Sequence, residues 1–214
     1  MVDFTNTFME ISELLQKGKA KDIVSAVEKA LSDGAIPAEI LEKGLIAGMN
    51  VIGGKFKRGD IFVPEVLVAA RAMNYASTTL KPALVKSGVK PVGKALICTV
   101  KGDLHDIGKN LVRMMIEGKG IEVLDLGVDC GPDKIVDAVR NSGARVVCLS
   151  ALLTTTMLSQ KEIIDALRAS GLRDKVKVMV GGAPVTQSYA DEIGADAYTP
   201  DAASAAEVCR AYYN

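Results

Sequence analysis

The sequence predicts two architectures in series: an all-α four-helix bundle over residues 1–90, then a five-stranded parallel α/β sheet over residues 91–214. Three observations carry this. Before residue 88, apolar residues recur at helical spacing. After Pro91, short apolar runs alternate with amphipathic segments, the pattern of a parallel sheet covered on both faces. Between the two lies Ser87-Gly88-Val89-Lys90-Pro91, whose Gly and Pro mark it as a linker.

Each helix of the first part can be read in turn. Phe8, Ile11, Leu14 and Leu15 line one face of the first helix. Ile23, Val27, Ala30 and Leu31 line the second, which Asp33-Gly34 ends. Pro37 suits the first turn of a third helix, with Leu41, Leu45, Met49 and Ile52 on its inner face. Gly53-Gly54 and Arg58-Gly59-Asp60 break the pattern. A fourth helix opens near Pro64 and turns Val66, Ala70, Met73 and Leu80 inward.

In the second part the predicted strands are Ala95–Val100, Glu122–Leu126, Val146–Ala151, Val176–Val180 and a short one at Ala197-Tyr198. The predicted helices span 107–119, 132–142, 157–170 and 184–193, with a last one from about 201. Ligands of such sheets sit beyond the carboxyl ends of the strands, at the topological switch point.

Composition excludes several classes. Lys+Arg and Asp+Glu balance at 26 each, so no net positive charge favours nucleic acid or an anionic membrane. No apolar run approaches the ~20 residues a bilayer requires, and Met1-Val2-Asp3-Phe4 lacks the basic and apolar regions of a secretory signal. The expected location is the cytoplasm. Cys98, Cys130, Cys148 and Cys209 form no Cys-x-x-Cys pair; Cys98 and Cys148 fall in predicted strands, and the four read as reduced, structural thiols.

The chemistry concentrates at the ends of the predicted strands. The only histidine, His105, lies in the loop Asp103-Leu104-His105-Asp106-Ile107-Gly108 after the first strand. A lone histidine serves equally as a loop residue bonded to a carbonyl or as a metal ligand, and a carboxylate two residues earlier can fix which ring nitrogen is offered. Ser150-Ala151-Leu152 ends the third strand and Gly181-Gly182 the fourth, so all three signals fall on one rim of one sheet. Singly, Gly108, Ser150 and Gly181-Gly182 also read as ordinary turn residues.

Together these residues resemble the cobalamin-binding signature Asp-x-His-x-x-Gly, Ser-x-Leu, Gly-Gly, with gaps (109–149 and 153–180) typical of that family. The run Thr99–Asn110 looks very like the matching loop of cobalamin-dependent methionine synthase. The resemblance implies a Rossmann-like (flavodoxin-like) domain in which His105 replaces the cofactor's own benzimidazole as lower cobalt ligand. Asp103 would bond its other ring nitrogen, and Gly102, Leu104 and Asp106 share that loop. It further implies that Gly108 clears room for the corrin, and that Ser150 and Thr154 bond the displaced tail while Leu152 packs along it. Gly181 and Gly182 would let the tail thread beside the sheet, and Ala202 would meet its end.

The first part resembles the helical cap of the same enzyme, through Met49–Phe56 and Gly59–Val66. There Phe56 and Val63 would shield the upper face of cobalt, with Glu42 near the corrin; read without the resemblance, Phe56 and Val63 are bundle core. A cap plus a cobalamin domain resembles the corrinoid proteins of methanogens and acetogens. The implied function is a methyl carrier, not a stand-alone enzyme, with methylcobalamin as the intermediate. It would serve a substrate-specific methyltransferase using methanol, methylamine, betaine or a methoxyaryl donor. A second methyltransferase would deliver the methyl to a thiol or tetrahydrofolate, and a reductive activation protein would support both. The cap would have to move aside for each transfer. Two other readings are the cobalamin subunit of an adenosylcobalamin mutase and a cobalamin-sensing regulator. The cap-like residues and the even charge of the first 88 residues weigh against both. A receiver domain is excluded, because the third strand ends in Ser150 where a phosphorylatable aspartate belongs.

Overall fold

A computed structural model describes residues 3–88 and 91–214. Val89 and Lys90 of the expected linker and Met1-Val2 of the N-terminus lie outside the described residues. The chain divides into two compact units, one of Met1–Pro91 with Gly118–Gly120, the other of Val92–Glu117 with Ile121–Asn214.

The first unit is helical. Helix α1 (Thr5–Gln16) buries Phe8, Ile11 and Leu15, and α2 (Ala20–Ser32) buries Ile23, Val27 and Ala30. These are the i, i+3, i+4, i+7 positions of one helix face. The third helix departs from a uniform 3.6-residue period. Pro37–Glu39 (α3) leads into a π-helical stretch, Ile40–Ile46, before α4 (Ala47–Lys57) resumes the α-helix. Gly44 sits in that stretch because α1 comes close: a Cβ there would lie 2.9 Å from Ile11 Cγ2. Helix α4 stops at Gly59, with φ +75°, where the Gly59 N–H donates to Phe56 O and the Asp60 N–H to Lys55 O. This is the Schellman arrangement, in which glycine carries the left-handed residue. Helix α5 (Val63–Lys86) opens with Pro64 in its first turn and the Phe62 N–H on Glu65 Oε2 at 3.1 Å. It buries Val66, Ala69, Ala70, Ala72, Met73, Ala76 and Leu80.

The second unit is a sheet of five parallel strands in the order β2-β1-β3-β4-β5: β1 (Lys94–Thr99), β2 (Glu122–Asp125), β3 (Val146–Ser150), β4 (Lys177–Gly181) and β5 (Ala197–Tyr198). Leu96 and Cys98 of β1, Val147 and Leu149 of β3, and Val178 and Val180 of β4 pack with Ile135, Ile163, Ile164, Leu167, Ala190 and Ile193. Those residues come from α7 (Pro132–Ser142), α8 (Met157–Ala169) and α9 (Gln187–Ile193). The alternate strand positions, Ala95, Ile97, Cys148 and Met179, are equally buried, and α6 (Ile107–Glu117) packs against α10 (Ala202–Ala211). Burial of both alternating sets is why the strands read as continuous apolar runs.

The expected elements differ from these at their ends. Helix α9 begins at Gln187, not 184, because Thr186 caps it by accepting from the Tyr189 N–H. Asp201 caps α10 by accepting from the Ser204 N–H at 2.8 Å. All four cysteines are free and buried. The neighbouring Cys130 and burial push the Cys98 thiol up, and Cys209 and burial do the same to Cys148. Among the described residues no helix is long and apolar enough to cross a membrane.

Candidate functional site

The strand order reverses between β1 and β3, and the rim there is level: Thr99, Ser150 and Gly181 stand in one register row at the ends of β1, β3 and β4. Beyond Thr99 the chain turns over Val100–Asp103, with the Asp103 N–H on Val100 O at 3.2 Å and Gly102 at φ +80°. A positive φ at the third residue of such a turn is glycine's natural place. The loop then returns over Thr99, whose hydroxyl donates to His105 O at 2.8 Å.

Asp103 is the centre of the site. Its side chain has no exposed surface, whereas that of His105 is 52% exposed. Oδ1 accepts from the His105 N–H at 3.0 Å and contacts His105 Nδ1 at 2.7 Å. Oδ2 accepts from the Leu152 N–H at 2.7 Å and the Thr156 hydroxyl at 2.8 Å. Burial alone pushes such a carboxyl up. Here the donors from His105, Leu152 and Thr156 outweigh burial and hold Asp103 below the usual carboxylate range. An ionised carboxylate only accepts, so the tautomer that fits this contact carries its proton on Nδ1 and offers the lone pair of Nε2.

Four apolar side chains, Leu104, Ile107, Leu152 and Leu153, are exposed on the loops after β1 and β3, beside the exposed Asp106. The glycines separate into two kinds. Gly182 has φ +128° and a Cβ there would lie 1.8 Å from Ala151 O, so the fold itself demands glycine. Gly108 and Gly181 are different. A Cβ on Gly108 meets nothing within 4 Å, and on Gly181 only Thr199 O at 3.8 Å. Neither is required by the protein's own packing, and both leave open space beside the rim. One available imidazole nitrogen, an apolar apron and unfilled room fit a large flat metal complex that brings its other ligands with it. Among the described residues no three His, Cys, Asp or Glu side chains cluster to hold a metal ion.

Of the expected residues, the rim brings together Gly102, Asp103, Leu104, His105, Asp106, Gly108, Ser150, Leu152, Gly181 and Gly182. Leu152 reaches Asp103 through its backbone N–H, not its side chain. Thr154 is exposed on the turn after β3, and Ala202, at the start of α10, is buried. In the first unit, Phe56 and Val63 are half-buried on either side of the turn between α4 and α5, and Glu42 is exposed on the π-helical stretch.

Several residues of this region were given no role by sequence reasoning. Thr156 is buried against Asp103. Gln160 Nε2 donates to Leu149 O at 2.9 Å and Gly181 O at 3.2 Å, tying β3 to β4 at the rim. Phe62, beside Val63, is 68% exposed. Lys109 is buried, with Nζ 2.5 Å from Asp125 Oδ2 and donating to Asn110 Oδ1 at 2.8 Å. Burial would raise the Asp125 carboxyl, but Lys109 and the Gly127 N–H hold it down. Only the charged type of Lys109 and its four-residue spacing from His105 were visible in the sequence.

The chain is similar to known proteins. Residues 93–209 match a family described as the B12 binding domain, and residues 8–81 match a second family of the same description. The chain is 42% identical to dimethylamine corrinoid protein 3 of Methanosarcina acetivorans over 205 residues, covering 96% of each. It is 45% identical to the trimethylamine corrinoid protein of Methanosarcina barkeri over 188 residues, covering 87% of each. In structure it is similar to the methanol:cobalamin methyltransferase complex of Methanosarcina barkeri, with a TM-score of 0.86 and 30% identity over 97% of this chain and 80% of that one.

Proposed function

The chain belongs to the corrinoid proteins built from B12 binding domains, and from that premise we propose that it carries a methyl group on cobalt between two methyltransferases. In this reading the donor is a methylated amine, supplied by an amine-specific methyltransferase. A second methyltransferase passes the methyl to a thiol or tetrahydrofolate, and a reductive protein restores oxidised cobalt. Near full-length identity to di- and trimethylamine corrinoid proteins supports the amine donor, and likeness to a methyltransferase complex supports such a partner.

The observation that carries the reading is the fully buried Asp103 side chain, with Oδ1 2.7 Å from Nδ1 of the exposed His105 ring. Bound cobalamin supplies a cobalt centre able to accept and release a methyl group. His105 Nε2 would hold the cobalt, and Asp103 would keep the ring oriented and its basicity high. Leu104, Ile107, Leu152 and Leu153 would lie against the corrin and exclude water. Gly108 and Gly181 would leave room for the displaced tail, with Ser150 and Thr154 its polar contacts and Ala202 near its end. Phe56, Val63 and Glu42 of the first unit would be further candidate contacts of the cofactor.

The test is the electron paramagnetic resonance spectrum of the cobalt(II) cobalamin complex, made with nitrogen-15 protein and unlabelled cofactor. A doublet superhyperfine pattern is expected from one protein nitrogen on cobalt. A triplet, from the cofactor's own base, overturns His105 ligation. For the donor, the reduced complex is expected to be methylated with a methylamine-specific methyltransferase and its amine. Methylation only with a methanol-specific enzyme overturns the amine assignment.

A further inference from the structure

We infer that Asp129, in the loop between β2 and α7, is a positioning residue that fixes the Asp103–His105 pair, an inference resting on His105 as the metal ligand. Asp129 is the one non-glycine residue with positive φ (52°) among the described residues. Aspartate tolerates that left-handed backbone better than most residues, but at a cost that needs a reason. Here the reason is geometric. The carboxylate Oδ1 of Asp129 accepts the Gly102 N–H at 2.7 Å, and its own N–H donates to Asp103 O at 3.1 Å. The two bonds grip both ends of the Gly102-Asp103 dipeptide, so they set the direction in which the Asp103 side chain leaves the backbone. That side chain in turn holds the imidazole.

The grip is anchored although Asp129 itself is exposed. Its neighbour Cys130 has no exposed surface, donates its N–H to Thr99 O at 3.0 Å, and pairs with Val100 in a parallel bridge. Gly127 O accepts the Thr99 N–H at 3.0 Å. Residues 127–130 thus extend the β1–β2 pairing past the strand ends, and Asp129 is its outermost rung. The Gly102 N–H is not used within its own turn, where the Asp103 N–H makes the closing bond. Without the Asp129 carboxylate, only water remains for it, and the turn carrying Asp103 is free to pivot.

Three substitutions separate acceptor, charge and backbone. Asp129→Asn keeps an acceptor and tolerates positive φ; Asp129→Gly keeps the backbone and loses the acceptor; Asp129→Ala loses both. Each is loaded with unlabelled cobalamin as nitrogen-15 protein, and the share of cobalt(II) showing the doublet is measured beside the unfolding midpoint of the unloaded chain. Asp129→Asn is expected to match the natural chain. Asp129→Gly is expected to lose at least about half of the doublet at an unchanged midpoint, a milder loss than the ~10–100-fold of removing a direct ligand partner. Asp129→Ala is expected to lose as much and to unfold earlier. A full doublet in Asp129→Gly, or a loss in Asp129→Asn equal to that in Asp129→Gly, overturns the inference while leaving His105 ligation standing. A triplet in the natural chain defeats His105 ligation and the inference with it.

Discussion

The Thr156 hydroxyl donates to Asp103 Oδ2 at 2.8 Å across 53 positions of sequence, joining the turn after β3 to the loop after β1. Both side chains are buried, so this bond and the Leu152 N–H replace the water that Asp103 gave up on folding. Thr156→Val keeps the shape and removes the hydroxyl. Loss of a bond to a charged group is expected to cost about 1.5–3 kcal/mol in urea unfolding of the unloaded protein. The share of histidine-ligated cobalt should fall with it, whereas Thr156→Ser should retain both. Equal stability of the valine variant would show that Asp103 does not depend on this donor.

Asp103 also sets the acid side of stability. Its folded pKa lies below the unfolded value near 3.8, so its contribution is fully present above that value and is lost as pH falls through the folded one. The stability difference between the natural chain and Asp103→Asn should therefore shrink as pH falls below about 4. Urea unfolding of the unloaded proteins across pH 3 to 8 reads this directly. A difference that does not shrink between pH 4 and 3 would mean that the folded chain does not hold this carboxyl below its unfolded value.

Gly108 separates folding from cofactor binding. Its position, in the first turn of α6, has room for a Cβ and no left-handed φ. Gly108→Ala is expected to leave the unloaded protein as stable or up to about 1 kcal/mol more stable. Gly108→Val, which fills more of the same space, should weaken cobalamin affinity at least about tenfold. Thermal unfolding and a spectrophotometric titration report the two effects separately. Undiminished affinity in the valine variant would remove the corrin from this space.

The Lys109–Asp125 pair should respond asymmetrically. Lys109 has a 2% exposed side chain, whereas Asp125 also has the Gly127 N–H and Arg113 at 3.6 Å. Asp125→Asn strands a buried cation and is expected to cost about 3–5 kcal/mol. Lys109→Met leaves a carboxylate that keeps other partners, and should cost less. Equal losses in denaturant unfolding would mean that the two ions share their burial evenly.

The legibility of the fold and of the site in the sequence divides by range. Strands and helices were readable because their signals are local: both faces of β1, β3 and β4 are apolar, and Pro37, Gly59 and Pro64 punctuate the helices. Asp103 and His105 were readable because they are two residues apart and meet each other. Thr156, Asp129 and Gln160 were not, since each acts on a partner fixed only by strand order, 53, 27 and 11 or 21 residues away. The π-helical stretch at Ile40–Ile46 shifts the register that the spacing suggested: Ile40 is fully buried and Leu41, expected inward, is only partly so, while Leu45, Met49 and Ile52 are buried as read. The start of α9 was misplaced because a threonine cap is weak punctuation beside the glycines and proline that precede it.

The four sheathed thiols make this chain a blank canvas for spectroscopy. Cys98, Cys130, Cys148 and Cys209 lie behind strands and helices, so maleimide dyes and spin labels have no native surface thiol to find in the folded protein. A cysteine placed at an exposed polar position of either unit would take up the probe alone. The motions of either unit could then be followed without first engineering away its own sulfur.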